Sequence, residues 1–151
     1  MALPAGMSSC AMCVQLWTST TWTDVSDNMT VVEAPSATRM TGEAYVFGED
    51  IAVTAVGKRE PVEVRVRGIW VEGTTDPFYN IYTNFMAACG TATAVRWAPG
   101  GCTTAHDVFA TSTATSEVVE LVFPGGDAGS ADILAYEFVI RAAEVTRAVW
   151  S

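Results

Sequence analysis

The amino-acid sequence predicts a mainly β fold, a β-sandwich or barrel that carries one short flanking α-helix. Several short stretches alternate apolar and polar residues with a period of two, which is the pattern of half-buried strands. Many of the segments between them contain Gly or Pro, as turns do. The chain also has nineteen threonines, and threonine favours pleated surfaces. At 151 residues, it is most simply one domain spanning 1–151.

The clearest strand signal runs from Val62 to Arg67, where valines alternate with Glu63, Arg65 and Arg67. This alternation predicts a strand with one buried and one charged face. The apolar phase shifts after Gly68, and a glycine at such a point predicts a bulge or a sharp twist.

One helix is predicted directly after this strand. Asp76 suits the N-cap and Pro77 the first helical position, and Gly90 is expected to end the helix. The apolar residues between them fall at helical spacing and form one stripe: Phe78, Ile81, Tyr82 and Phe85.

The remaining strands are weaker and are predicted from shorter alternations. Residues 22–28 read as a turn, 36–40 as a connector and 57–61 as a tight loop. Strands are expected at 12–19, 29–33, 43–47, 51–56, 95–98, 107–111, 117–123, 133–141 and 144–150.

The composition indicates an oligomer. Half of the residues are apolar and 17% are charged, against about 25% charged in an average soluble domain. No stretch approaches the roughly 18 apolar residues of a membrane-spanning helix. The excess apolar surface is therefore expected to lie between subunits.

The net charge of −9 comes from 17 acidic residues against seven arginines and one lysine. Without a basic patch, tight binding of nucleic acid is not expected. An acidic surface would suit a channel through which DNA slides, and it is equally what solubility alone requires. The N-terminal thirteen residues lack the basic and apolar regions of a secretory signal, which predicts synthesis in a cytoplasm.

The four cysteines are expected to be free thiols that pack as small buried side chains. Cys10 and Cys13 form a C-x-x-C pair, but Cys89 and Cys102 lack the tight spacing of a zinc ribbon. A redox motif would normally open a helix after a strand. Cys89 and Cys102 could form a disulfide across the intervening loop, but a cytoplasmic origin favours free thiols.

No catalytic, cofactor or metal site is predicted. His106 and Asp107 are neighbours that point to opposite faces if they lie in a strand, so His106 reads as a surface loop residue. The five tryptophans are spread along the chain and are expected in the core and in interfaces rather than on a sugar-binding platform: Trp17, Trp22, Trp70, Trp97 and Trp150.

Residues 42–150 resemble the tail tube (major tail) proteins of bacteriophages with long, non-contractile tails. The resemblance rests on the order of several stretches: GKREP (57–61), EGTTDPFYNIYTNF (72–85), RWAPGG (96–101), SADILAYEFVIRA (130–142) and VTRAV (145–149). The first forty residues have no counterpart in it and are expected to make subunit contacts.

The resemblance implies hexameric rings that stack into a hollow conduit for DNA ejection in the virion tail. Paired hairpins, 42–56 with 62–72 and 117–123 with 133–141, would line an inner β-barrel. The implied partners are other copies of the chain, other tail proteins at the tube ends, and genomic DNA that passes without specific binding. No membrane contact is implied.

Two sets of residues are candidates for assembly. The first set would face the lumen or a neighbouring subunit: Glu63, Arg65, Arg67, Glu120, Glu137 and Arg141. The second set would make ring-to-ring contacts, for which the loop 99–107 is the alternative: Glu49, Asp50, Lys58, Arg59 and Glu60. The alternatives are a non-polymerising tail terminator or capsid decoration protein, and a carbohydrate-binding β-sandwich.

Overall fold

The computed structural model describes residues 11–18, 20–48, 50–129 and 132–150. Within these ranges the chain forms eleven strands and one α-helix. In chain order they are β1 (Cys13–Trp17), β2 (Trp22–Asp24), β3 (Met29–Val32), β4 (Arg39–Ala44), β5 (Val53–Arg59), β6 (Val62–Ile69), α1 (Pro77–Met86), β7 (Ala94–Ala98), β8 (Asp107–Thr111), β9 (Glu117–Val122), β10 (Ala135–Ala142) and β11 (Val145–Val149).

The strands form two sheets and one separate hairpin. Sheet A has the order β11-β8-β7-β1-β2, sheet B has the order β3-β6-β10-β9, and β4 pairs with β5. The pairs within the sheets are antiparallel. The predicted fold class, mainly β with one short helix, is confirmed, and the open sheets make it a sandwich.

The core lies between the inner faces of the two sheets. Val14, Leu16, Val95 and Trp97 come from sheet A, and the helix adds Ile81. Sheet B contributes the aromatic and branched side chains that close the core from the other side: Val64, Val66, Tyr136, Phe138 and Ile140.

The predicted alternation of β6 is confirmed. Its valines are buried, Glu63 and Arg67 are exposed, and Arg65 is half-buried. The bulge predicted at Gly68 is wrong: Gly68 stays in register with Tyr136, and the irregularity lies in β3 opposite it. A Cβ at Gly68 would lie 2.9 Å from the Cζ and Oη atoms of Tyr136, so the glycine is needed for close packing.

The helix begins as predicted, with Asp76 at the N-cap and Pro77 in the first turn. It ends at Met86, four residues before the predicted stop at Gly90, which instead takes a positive φ of 72° in the following turn. Phe78 packs against Tyr136 with ring centroids 5.1 Å apart, which holds the helix against sheet B. In the described ranges, no helix has both the length and the apolar character needed to cross a membrane.

Several strand boundaries differ from the prediction. The tight loop expected at 57–61 is wrong for its first three residues, because β5 extends to Arg59 in its pairing with β4. Residues 22–24 of the expected turn form the edge strand β2, because they pair with β1 in sheet A. The expected strand 43–47 ends at Ala44, and β4 begins earlier, at Arg39. The implied pairing of 42–56 with 62–72 is also wrong, since β5 pairs with β4 while β6 pairs with β3 and β10. The second implied hairpin, β9 with β10, is confirmed.

The prediction of free, buried thiols is wrong for three cysteines. Cys13 and Cys102 form a disulfide that joins β1 to the loop after β7, and Cys89 is a free, exposed thiol. Folding brings together two residues 89 positions apart, which sequence spacing does not reveal. Cys10 lies outside the described residues.

Candidate assembly surfaces

Sheet B has a charged outer face formed by the first set of predicted residues. Because Val64 and Val66 point into the core, the alternate residues Glu63, Arg65 and Arg67 share the opposite face. On β10, Glu137 stands opposite Arg67 and Arg141 stands opposite Glu63. Glu120 of β9 joins the same face through its register with β10. The structure therefore brings all six residues together.

Arg65 is the centre of an ion-pair network on this face. Its guanidinium lies 3.0 Å from the Glu137 carboxylate, 3.5 Å from Glu120 and 3.8 Å from Glu33, and Arg67 lies 3.8 Å from Glu137. Partial burial lowers the pKa of Arg65, but the hydrogen bond and the negative charge of Glu137, with the charges of Glu120 and Glu33, outweigh it and raise that pKa. These opposite charges are satisfied within one subunit, so their mixed signs no longer argue for pairing between subunits.

The face as a whole remains acidic. Five carboxylates stand against three guanidiniums, which leaves a net charge of −2; the carboxylates are Glu33, Glu63, Glu117, Glu120 and Glu137, and the guanidiniums are Arg65, Arg67 and Arg141.

A second surface is the arm, defined as β4, β5 and the turn between them (39–59). Every described residue of the arm is exposed except Ala52, which is partly buried. Its exposed side chains include large apolar ones, with Tyr45 84% exposed, Ile51 80% exposed and Phe47 fully exposed. The sequence pattern at 43–47 predicted a strand but gave no sign that neither of its faces would be covered.

The second set of predicted residues lies on or beside the arm. Asp50 is in the turn, Lys58 and Arg59 end β5, and Glu60 follows it. Arg59 pairs with Glu144 at 2.7 Å, and Glu60 accepts a 2.7 Å hydrogen bond from Thr38, so these two secure the base of the arm. Glu49 lies outside the described residues.

A third surface, here called the far-end patch, lies at the end of sheet B opposite the arm. The arm leaves sheet B where β6 begins, at Val62, whereas the patch surrounds Ile69, where β6 ends. It consists of five exposed apolar side chains: Val71, Val122, Phe123, Ile133 and Leu134. Ile133 and Leu134 also line a pocket of about 280 Å³, together with Gly125, Gly126, Asp127 and Asp132.

The predicted contact loop 99–107 is tied to its own subunit. The disulfide holds it to β1, and the amide of Trp150 donates to the His106 carbonyl at 2.8 Å. His106 is half-buried rather than a freely exposed loop residue.

Three of the five tryptophans share the outer face of sheet A, although they are spread along the sequence. Trp97 is in the core, and Trp70 packs against the core cluster. The other three are on the outer face: Trp17 and Trp22 are opposite each other on β1 and β2, and Trp150 follows β11. The Arg96 guanidinium lies 4.5 Å from the ring centroids of both Trp22 and Trp150. Because it occupies the space between these rings, they do not form an open platform for sugar stacking.

No arrangement typical of catalysis is present in the described part of the chain. Groups of three or more His, Cys, Asp or Glu side chains able to hold a metal ion are absent there. Asp76 is buried, which raises the pKa of its carboxyl group even though one oxygen accepts from the Val71 amide. Burial raises the pKa of the nearby Tyr136 phenol, and the Asp76 charge raises it further. Both groups lie beneath the helix rather than in an open cleft.

No protein-family model and no curated protein sequence matches the chain. Solved structures do match it. A chain of an extracellular contractile injection system, the PVC sheath/tube terminator in its extended state, has a TM-score of 0.78 at 15% identity, over 98% of this chain and 100% of that one. A chain of the anti-feeding prophage baseplate has a TM-score of 0.78 at 13% identity, over 100% and 99%.

A chain of the virion of a native gene transfer agent particle matches with a TM-score of 0.65 at 9% identity, over 95% of this chain and 100% of that one. The chain has a tail-tube-like fold. Strands β1, β2 and β3, which precede the part of the chain covered by the sequence resemblance, belong to the two sheets of the sandwich. The higher TM-scores belong to contractile systems, so the expectation of a non-contractile tail receives no support from them.

Proposed function

We propose that this chain is a structural subunit of a phage-tail-like particle, whose copies form rings that stack into a hollow tube. The arm is the observation that carries the proposal. A two-stranded hairpin is marginally stable by itself in water, and this one exposes Tyr45, Phe47 and Ile51. An exposed apolar patch of this kind marks an interaction site, so we expect the arm to be covered in the assembled state.

A second copy, placed end to end, is the partner that fits the arm. The arm and the far-end patch lie at opposite ends of sheet B, so a copy stacked in the same orientation would bring one against the other. Such a head-to-tail contact does not close on itself and therefore propagates. Burial of each large apolar side chain would contribute roughly 2 kcal/mol, and several arms per ring would act together.

The edges of sheet B support a lateral contact within each ring. β3 and β9 are its edge strands, and an exposed edge offers unpaired backbone groups to another strand. Pairing β9 of one subunit with β3 of the next would close the four-stranded sheets into a barrel and would give the N-terminal segment its role in subunit contacts. Closure would also leave sheet B without a free edge.

The size of such a barrel suits a conduit. Six copies would supply 24 strands, and at about 4.8 Å per strand the barrel would be about 37 Å across at the backbone before any strand tilt. Tilt widens a barrel, so after allowance for side chains about 25 Å or more would stay open. Six-fold symmetry is named for the anti-feeding prophage baseplate and C6 symmetry for an empty gene transfer agent tail.

In this arrangement the charged face of sheet B lines the channel. Two of its three arginines, Arg65 and Arg67, are already paired with carboxylates. The net charge of the face is acidic, so DNA phosphates would be repelled rather than held. We expect DNA to pass without specific binding, other tail proteins to close the tube ends, and the particle tail to be the location of the chain after synthesis in a host cytoplasm.

A tail terminator is the second candidate, because similar chains occur in structures described as a sheath/tube terminator and a tube-terminating cap. A terminator needs one stacking surface, whereas this chain has an arm at one end and a matching patch at the other. The two-ended arrangement therefore favours the repeating subunit.

Two variants test the proposal together. Phe47→Asp introduces a charge into the arm and Ile133→Asp introduces one into the far-end patch, so each variant alone should stop at single rings. In a one-to-one mixture of the two kinds of ring, the intact arms of Ile133→Asp can dock on the intact patches of Phe47→Asp. The mixture should therefore give pairs of rings that grow no further, because both outer ends of a pair carry the charged substitution.

Negative-stain electron microscopy and sedimentation would distinguish single rings, pairs and tubes. Thr115→Asp, at an exposed loop position outside both surfaces, is the matched control and should form tubes. Tubes from either charged variant alone would contradict the arm-to-patch contact. Single rings from the unchanged chain would instead identify it as a terminator.

A further inference from the structure

We infer that the outer face of sheet A is a docking surface for a separate protein that presents a carboxylate side chain to Arg96. The inference rests on the proposed function in one respect, the direction in which this face points. Its local argument is independent and starts from how Arg96 is held.

The Arg96 guanidinium is fixed in place on three sides. Its carbon lies 4.5 Å from the ring centroids of Trp22 and Trp150, and its Nε donates a 2.7 Å hydrogen bond to the side-chain oxygen of Gln15. This clamp crosses sheet A, because Trp22 is on β2, Arg96 on β7, and Trp150 directly after β11. A planar guanidinium stacked on aromatic rings keeps its remaining N–H groups for bidentate contact with a carboxylate.

No carboxylate of the described residues forms an ion pair with this cation, whereas four other arginines have such a partner: Arg59, Arg65, Arg67 and Arg147. Arg39 and Arg141 also have no ion pair in this part of the chain, but they are exposed to solvent, whereas Arg96 is half-buried. Asp24 is on the same face but accepts from the amide and hydroxyl of Ser26. Burial lowers the pKa of Arg96. A half-buried cation of this kind gains from an opposite charge.

The guanidinium is also reachable. It lines a pocket of about 340 Å³ together with Val108, Ala148, Val149 and Trp150, so an acidic side chain could enter beside apolar walls. A polyanion is a poor candidate, because a chain with a net charge of −9 repels nucleic acid and anionic membranes. One carboxylate on an otherwise neutral, apolar protein surface avoids that repulsion.

A separate protein is favoured over another copy by the geometry of the sandwich. If sheet B lines the channel, the outer face of sheet A lies on the opposite side and faces away from the tube. Copies in the tube would use the edges of sheet B, the arm and the far-end patch. The Arg96 surface would stay open to a protein that surrounds the tube.

Arginine modification by phenylglyoxal, mapped by mass spectrometry, tests the inference. The probe is a blocked Gly-Glu-Gly peptide, compared with the matched Gly-Gln-Gly peptide. A bound peptide lowers the modification rate by a factor of one plus the ratio of peptide concentration to Kd. For a Kd of about 5 mM, about 10 mM of the Glu peptide should therefore slow the modification of Arg96 roughly threefold. The Gln peptide should have no effect, and Arg147, which is paired with Asp107, should respond to neither.

The Phe47→Asp variant, which stops at single rings, and the unchanged chain in tubes should give the same result. Equal rates with both peptides would show that the tryptophan clamp is structural only, and an Arg96 that is unreactive without peptide would show that the chain itself already occupies it. Either result overturns the inference. Protection of Arg96 on assembly would identify a second copy as the occupant, which also overturns it. Failure to form tubes would contradict the proposed function and leave the peptide comparison valid.

Discussion

Removal of the Cys13–Cys102 disulfide should destabilise the chain by several kcal/mol. The crosslink closes a loop between residues 89 positions apart. In the chain-entropy treatment, such a loop removes about 15.5 cal/mol/K from the unfolded ensemble, or about 4.6 kcal/mol at 25 °C. With a urea dependence of about 2 kcal/mol/M, the midpoint should fall by about 2.3 M on reduction.

The measurement requires a background in which only this pair can react. Cys10→Ser and Cys89→Ser remove the other thiols, and Phe47→Asp limits assembly to single rings. Both redox forms are compared at one protein concentration, so that dissociation of the rings contributes equally to the two midpoints. Urea unfolding of the oxidised and the reduced protein, followed by tryptophan fluorescence, gives the two midpoints. Equal midpoints would refute the reasoning, as would two titratable thiols in the oxidised protein under denaturing conditions.

Three further substitutions have expected outcomes that the same unfolding assay measures. Gly68→Ala should lower the free energy of unfolding by about 1–3 kcal/mol, because the new Cβ would lie 2.9 Å from Tyr136. In the control Gly42→Ala the Cβ meets no atom within 4 Å, so stability should change by less than about 0.5 kcal/mol. Similar losses at both positions would contradict this. Asp76→Asn should gain about 1 kcal/mol at pH 7. Burial raises the pKa of that carboxyl in the folded state, so its stabilising contribution is complete below the unfolded pKa and is lost as the pH rises through the folded pKa; a loss of stability at pH 7 would count against this. Tyr136→Phe should be neutral or gain up to about 1 kcal/mol, since the buried hydroxyl has no hydrogen-bond partner among the described residues, and a loss above 1 kcal/mol would argue for a hidden partner.

Local patterns in the sequence were sufficient for the elements with one buried face. The alternation from Val62 to Arg67 predicted β6 and its charged side because a strand between β3 and β10 has one face on the core. The helix start followed from Asp76 and Pro77, whose effects are local. The helix end was placed too late because Gly90 marks the turn after the helix.

The features that the sequence did not predict depend on distant residues. Cys13 and Cys102 meet because β1 is next to β7 in sheet A, an arrangement that no spacing rule contains. Trp22, Arg96 and Trp150 converge for the same reason. The arm was predicted as ordinary strands, since alternation at 43–47 does not show whether a second layer covers it.

The sequence resemblance and the structure agree on a tail-tube-like fold. They differ in the kind of tail, because the resemblance is to non-contractile tails and a structure with one of the higher TM-scores comes from a contractile injection system. The five stretches that carry the resemblance correspond to the end of the arm with the turn before β6, the helix, and parts of β7, β10 and β11. All but the first belong to the sandwich itself, so they reflect the shared fold more directly than the surfaces that assemble a tube.

The most direct test of the account is negative-stain electron microscopy of the purified chain beside the Phe47→Asp variant. Hollow tubes are expected for the unchanged chain, about 85 Å or more in width from two sandwich walls of about 30 Å and an open channel of about 25 Å or more. Single rings are expected for the variant. Dispersed monomers of the unchanged chain at high concentration would contradict the central claim that the exposed arm exists to join one copy to the next.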